Sequence, residues 1–353
     1  MNASPSQSHP AEWPETQALR DTTERGLPAG RHAFHREQLM AQIRDDIRTT
    51  APVALTRQRN PFLRKAVLLP AAACALAGAI VGGVALSGDD GDGTTPLATG
   101  PALTTRLGTV DAEGGPQLLD RISLAAADAS GPTVRDGQFI YIASKVASTY
   151  PKTVDDKTTV VSQELHARQV WQSLDGKDGW LIEPGETDDA GITLAGPHAS
   201  SAAYDHLATL PTDPDALLKK IDRELDPDRE VPRDQAAFVA LGDLLTESYP
   251  PAKLTAAIYK AAAKIPGVVK VDDAVDATGR HGVAVARLNE QDGQRTEWIF
   301  DRKTLAFLGE RSVQVEPDES GLFKVGTVTF TSAIMQRAVV DGNKQMPAEQ
   351  QAG

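Results

Sequence analysis

Cysteine is almost missing from this chain: of 353 residues, Cys74 is the sole example. No disulfide can form within one copy, so whatever folds must be held by burial alone. Aromatic residues are scarce as well, at 5%, which leaves Ala and Val to supply most of the apolar packing and predicts a core of small side chains. The marks of catalysis are lacking too. There is no GxSxG elbow, no HExxH, no phosphate-binding glycine loop and no cluster of His and Cys. Seven histidines are scattered, and His198 and His206 flank a small-residue loop instead of converging on a carboxylate. The expectation is a non-enzyme with no catalytic residue, no cofactor and no metal. The first 20 residues hold no apolar run, so no secretory signal opens the chain.

One long apolar run is present. Ala66 to Leu86 carries no charge over 21 residues, and as a helix it would reach about 31 Å, the thickness of a bilayer's hydrocarbon core. A helix also satisfies its own backbone in lipid. Arg57, Arg59, Arg64 and Lys65 precede the run, and Asp89, Asp90 and Asp92 follow it. By the positive-inside tendency the N-terminus stays in the cytoplasm and the C-terminal bulk is exported, with the run as an uncleaved signal anchor in the lipid bilayer of the cell membrane. Ala71-Ala72-Ala73-Cys74 has the look of a lipoprotein cleavage box, but only eight apolar positions precede the cysteine. Gly78 and Gly82 form a small-residue pair through which two such helices can approach; 11 of the 21 residues are Ala or Gly, so the pair is a weak signal.

Charge divides along the same line. Residues 1–65 hold ten Lys+Arg against seven Asp+Glu, a net of +3, whereas the chain from Ser87 holds 26 against 41, a net of −15. An acidic exported part argues against nucleic acid as a partner. Within the cytoplasmic segment, residues 1–30 read as disordered. Residues 31–48 read as a helix with Leu39, Met40, Ile43 and Ile47 on one side and charges around them. That strip either docks a cytoplasmic protein or lies on the inner membrane face. His32 and His35 have a zinc-like spacing, yet the segment offers only His9 besides them, too few ligands for a site.

Residues 87–102 form an acidic, flexible linker, and residues 103–341 an exported domain. Thr105–Ala112 reads as a strand and Pro116–Ala127 as a helix with Leu118, Leu119 and Ile122 on its apolar face. Strands are expected over 138–146 and 159–174, the second carrying Val161, Leu165, Val170 and Trp171, before a hairpin turn at Asp175–Gly179. Three helices follow. Asp213 caps the first, with Pro214 in its first turn, Asp234 caps the second, and Pro250-Pro251 separates it from the third. From Gly267 the apolar period falls to two. Val268–Val275, Val283–Leu288, Arg295–Phe300, Leu305–Val315 and Gly326–Thr331 read as strands joined by short turns, hence an antiparallel meander. Paired acids such as Asp155-Asp156, Asp188-Asp189 and Asp272-Asp273 are expected in turns, and Trp171, Trp180 and Trp298 in the core. The fold class is α+β: a curved antiparallel sheet with helices on one side. Residues 342–353 read as a disordered tail.

Four stretches carry a resemblance: PQLLDRISLAAADASGPTVRDGQFIYIASKV, LPTDPDALLKKI, QAAFVALGDLLTESYPPAKLTAAIYKAAAKIPGVV and GVAVARLNEQDGQRTEWIFDRKTLAFLGERSV. In this order they resemble a family of actinobacterial single-pass membrane proteins of uncharacterised function, often encoded near extracytoplasmic-function sigma factors. The resemblance implies an exported domain similar to the lipoprotein-carrier half-barrel, and it brings no catalytic motif. Two functions stay open. In the first, the exported domain senses the envelope and the inner helix reports to a sigma factor or other cytoplasmic regulator, in anti-sigma fashion. In the second, the sheet is an anchored binding module for an apolar envelope ligand or lipoprotein-like cargo.

Overall fold

The computed structural model describes residues 97–348, apart from 130, 197–198, 226–230 and 319. The inner helix at 31–48, the apolar run at 66–86 and most of the linker lie outside the described residues. No described helix is long and apolar enough to cross a membrane.

Twelve strands and five helices follow one another as β1 (Thr99–Pro101), β2 (Val110–Asp111), α1 (Gly114–Asp128), β3 (Phe139–Val154), β4 (Lys157–Gln163), β5 (His166–Ser173), β6 (Gly179–Ile182), β7 (Ile192–Thr193), α2 (Tyr204–Thr209), α3 (Pro214–Glu224), α4 (Arg233–Thr246), α5 (Ala252–Ala262), β8 (Val268–Val275), β9 (His281–Asn289), β10 (Gln294–Asp301), β11 (Phe307–Gln314) and β12 (Val328–Val340). The strands make one sheet in the order β2-β8-β9-β10-β11-β12-β3-β5-β6-β7, with β4 and β1 branching from β3. Every strand pair in it is antiparallel. The α+β class and the C-terminal meander are therefore as the sequence implies.

The helices gather on one face. Leu119 and Ile122 of α1, Leu217 of α3, Phe238, Leu241 and Leu245 of α4, and Leu254 and Ile258 of α5 join Val283, Val285, Trp298 and Phe300 of the sheet in a single buried cluster. Phe238 stacks on Trp298 at 4.1 Å between centroids, 8° from parallel. Gly242, one turn further along α4, lets this stack form: a Cβ there would stand 2.5 Å from Trp298 Nε1. Changing Gly242 to Ala gains about 1 kcal/mol of helix propensity but overpacks a filled core at about 1–3 kcal/mol. The expected result is a net loss of about 1 kcal/mol, read as a lower chemical-denaturation midpoint with an unchanged slope. A midpoint at or above that of the parent would show that Trp298 has room to shift.

Several boundaries differ from those expected. Residues 159–174 are two strands, because the register against β3 slips by one residue between the pairs Thr149↔Ser162 and Val146↔His166. The extra residue turns Leu165 outward, 41% exposed, and frees Gln163 to pair with Thr99. Residues 99–101, assigned to the linker, are thus the first strand of the domain. The strand expected over Thr105–Ala112 shrinks to Val110–Asp111, with Thr104 bridging to Thr327. Four helices, not three, lie between β7 and β8, since α2 adds a short one. Pro232 occupies the N-cap of α4, and Asp234 sits in its first turn, where a carboxylate favours the positive helix end. Asp213 does cap α3, accepting from the Ala216 N–H at 2.9 Å.

Asp155 and Asp156 form the two-residue turn between β3 and β4, both at positive φ, the geometry that suits a hairpin's twist. Asp272 and Asp273 lie instead within β8, at a register shift, with Asp273 at φ +57°. The strand expected from Leu305 starts at Phe307, because Leu305 closes a turn onto the Asp301 carbonyl at φ +59°. β12 runs nine residues past Thr331; the charged Arg337 interrupts the apolar pattern there, yet it is held inside the fold.

Candidate functional site: buried charges beneath the last turn of α4

Alternation along β5 places His166, Arg168 and Val170 on the face that the helices cover. Ile142, which pairs with Val170, lies in the same cluster as Tyr204 and Tyr249 from the helical layer. Glu183, just past β6, comes alongside Arg168. On β11, Glu310 pairs with Trp298 and so shares the helix-covered face. Over these groups α4 ends, with Glu247 at its C-cap. The sheet and the helix thus bring three carboxylates and an arginine together inside the protein.

Arg168 is the hub. Its Nε donates to Glu183 at 3.1 Å and its Nη2 pairs with Glu247 at 2.8 Å; the side chains are 6%, 1% and 11% exposed. His166 Nε2 faces Glu183 at 3.3 Å, and its Nδ1 faces the Glu164 carbonyl at 3.0 Å. A carboxylate at a helix C-terminus is unfavourable, because the unpaired carbonyls there already carry negative charge. Arg168 offsets this for Glu247. Arg337 of β12 offsets it for the carbonyls themselves, donating to Leu245 O while its guanidinium lies 6.0 Å from the Tyr249 ring and 5.7 Å from the Phe307 ring. Burial presses the Arg337 pKa downward and that of neighbouring Tyr259 well upward.

Glu310 has no cation of its own among its described hydrogen bonds and ion pairs. Burial first, and then the charge of Glu247, pushes its pKa up to about 7, against a smaller opposing effect from Thr246. The carboxyl group therefore changes charge near neutral pH, under the end of a helix.

Chemically the cluster is a clamp, with Arg168 holding two carboxylates from different elements. Its carboxylates are enclosed rather than open to a cleft, and the described contacts of His166 are to Glu164 and Glu183, not to a nucleophile. Among the described residues no three His, Cys, Asp or Glu side chains are placed to hold a metal. A second buried charge cluster lies on the opposite face, where Arg295 and Arg311 both donate to Glu297 at 2.8 and 2.6 Å. It is covered by the segment leading into β2, whose Thr105 hydroxyl accepts from Arg311 at 3.0 Å.

The site residues expected from sequence, namely Leu39, Met40, Ile43, Ile47, Arg57, Arg59, Arg64, Lys65, Ala66, Gly78, Gly82 and Leu86, all precede Leu97 and lie outside the described residues. Sequence patterning singles out none of Arg168, Glu183, Glu247 and Glu310. The one hint is Arg168, two residues from Val170 and so in the same inward register of a strand of mixed polar and apolar residues. The partners it meets, Glu183 and Glu247, are separated from it by 15 and 79 positions, and only the fold reveals them.

No family model matches the chain, and no curated protein does. Among solved structures, the chain aligns with MucB in the MucA/MucB complex of Pseudomonas aeruginosa at 16% identity, covering 68% of this chain and 61% of that one, with a TM-score of 0.22. MucB in complex with MucA(peri) aligns at 14% identity, 68% and 60% coverage and a TM-score of 0.21, and MucB alone at 17%, 68% and 62% with 0.21. The chain spans about three fifths of the length of these structures. Likeness at this level is too slight to establish a common fold.

Proposed function

We propose that this is a single-pass membrane protein whose acidic, non-catalytic α+β domain stands outside the cytoplasm and reports envelope conditions to a cytoplasmic regulator through residues 31–48. The observation that carries the reading is the charge-free run Ala66–Leu86, flanked by cations before and acids after, with the α+β domain following it in the chain. The curl of the sheet fits the half-barrel architecture in finer detail: β8 bends at its bulge so that the Val275 carbonyl accepts from Arg311 of β11, three strands along, at 3.2 Å. The pH-responsive Glu310 supplies the domain with a means of changing state. The apolar-ligand alternative draws less support, because Phe238, Trp298, Phe300 and their neighbours fill the space between helices and sheet.

Topology is tested first. A reporter fused after Gly353 should be active only outside the cytoplasm, and activity confined to the cytoplasm would end the proposal. The regulatory half is tested with the full-length chain in detergent as bait. Recovery of a sigma factor or its regulator, abolished when Leu39 and Ile43 are both changed to Asp, is the expected result. Recovery indifferent to those changes would remove the assigned role of the helix.

A further inference from the structure

On the face of the sheet away from the helices, Tyr141, Trp171 and Val340 form a buried cluster with Phe139, Trp180 and Ile182 packed against it. Residues 342–348, expected to belong to a disordered tail, cover part of it. A turn closed by the Gln345 N–H on the Gly342 carbonyl reverses the chain after β12, with Lys344 at φ +63°, a conformation uncommon for a residue bearing a Cβ. Four successive residues then engage the platform. Asn343 Nδ2 donates to Asp178 at 3.1 Å, and Lys344 Nζ stands 3.1 Å from the centroid of the Trp180 ring. The Gln345 carbonyl accepts from Trp171 Nε1 at 2.7 Å, and Met346 Sδ accepts from Gln169 Nε2 at 3.8 Å.

The attachment is that of a ligand more than of a strand. Among the described residues no backbone-to-backbone hydrogen bond ties residues 343–348 to the sheet. An open groove of about 540 Å³ remains between β12 and the tail, and Met346 is 55% exposed. The platform's demands are specific: a cation over an indole face, a backbone carbonyl one residue on, then a polarisable thioether. Asp178 lies beside it, taking the Asn343 amide, and Asp341 directly precedes the tail.

We propose that this aromatic platform is a peptide-binding site, occupied in cis by the chain's own Asn343-Lys344-Gln345-Met346 and open in trans to a partner segment of the same chemistry and turn, a Lys followed two residues later by Met. The tail acts as a resident competitor that keeps Trp171 and Trp180 covered until such a segment arrives.

The test uses the otherwise full-length chain in detergent, ending at Gly342, and a fluorescent peptide of residues 342–350 added in trans. Saturable binding is expected, with a blue shift of tryptophan emission. Affinity should drop at least tenfold for the peptide carrying Lys344→Glu, a change that leaves the folding of the protein untouched. The chain with its tail intact should bind the peptide at least tenfold more weakly than the shortened one. No saturation up to about 1 mM, equal binding with the tail present, or indifference to Lys344→Glu would each overturn the assignment.

Discussion

Replacing Arg168 with Met is expected to cost about 3–5 kcal/mol of stability, the penalty for stranding buried carboxylates without their cation. Glu183 and Glu247 both pair with this guanidinium, at 3.1 and 2.8 Å, with side chains only 1% and 11% exposed. The damage should be greatest at pH 8 and should lessen on acidification, as the stranded carboxyls take up protons. A combined change of Arg168→Met, Glu183→Gln and Glu247→Gln should recover much of the loss, because the desolvation cost of three charges disappears along with their attraction. Urea denaturation of the three chains, parent, single and combined variant, decides the matter. If Arg168→Met alone left the midpoint unchanged, the network would hold nothing together.

Glu310→Gln should act in the opposite direction. Burial and Glu247 raise the Glu310 pKa from 4.5 to about 7, so the folded chain holds this proton more tightly than the unfolded chain does. Stability owed to this group is complete below about pH 4.5, declines as the pH rises towards 7, and stays lost above it. A difference of that size corresponds to about 3 kcal/mol. The Gln variant should therefore gain about 2–3 kcal/mol at pH 8 and nothing at pH 4.5, and its stability should vary less between those limits. The groups facing Glu310 are Trp298 beside it in the sheet and Thr246 and Glu247 above it on α4, with Arg168 and Glu183 joined through Glu247. Denaturation midpoints at the two pH values read the effect directly. A difference between parent and Gln variant that was the same at pH 4.5 and pH 8 would contradict the assigned burial.

How far such properties can be read from sequence depends on the range of the interaction. The α3 cap at Asp213, the β3–β4 turn at Asp155-Asp156 and the meander from Val268 are all local, fixed by residues within a few positions, and they are legible. The split between β4 and β5 is not, since the one-residue slip against β3 goes together with pairing to β1, some 60 positions upstream. The buried charges are the extreme case. Glu310 stands in β11 among residues of ordinary strand pattern, and nothing nearby announces that the end of α4 will lie over it. Residues 342–348 differ from a disordered tail for a similar reason: a polar composition describes how they would behave alone, whereas Trp171 and Trp180 hold Gln345 and Lys344 in place.

The position of β12 in the strand order bears on how the domain is assembled. β8 to β12 pair in sequence, and β3 with β5, β6 and β7 forms a second set of close neighbours, but the two sets meet only where β12 lies against β3. A chain emerging N-terminus first presents β3 with one long edge unpaired until the final strand arrives, nearly 200 residues later. Such an edge invites pairing with other chains, and contacts this distant in sequence form slowly. Deletions or stalls that remove the last strand should therefore leave two half-sheets prone to aggregation rather than a shortened but soluble domain.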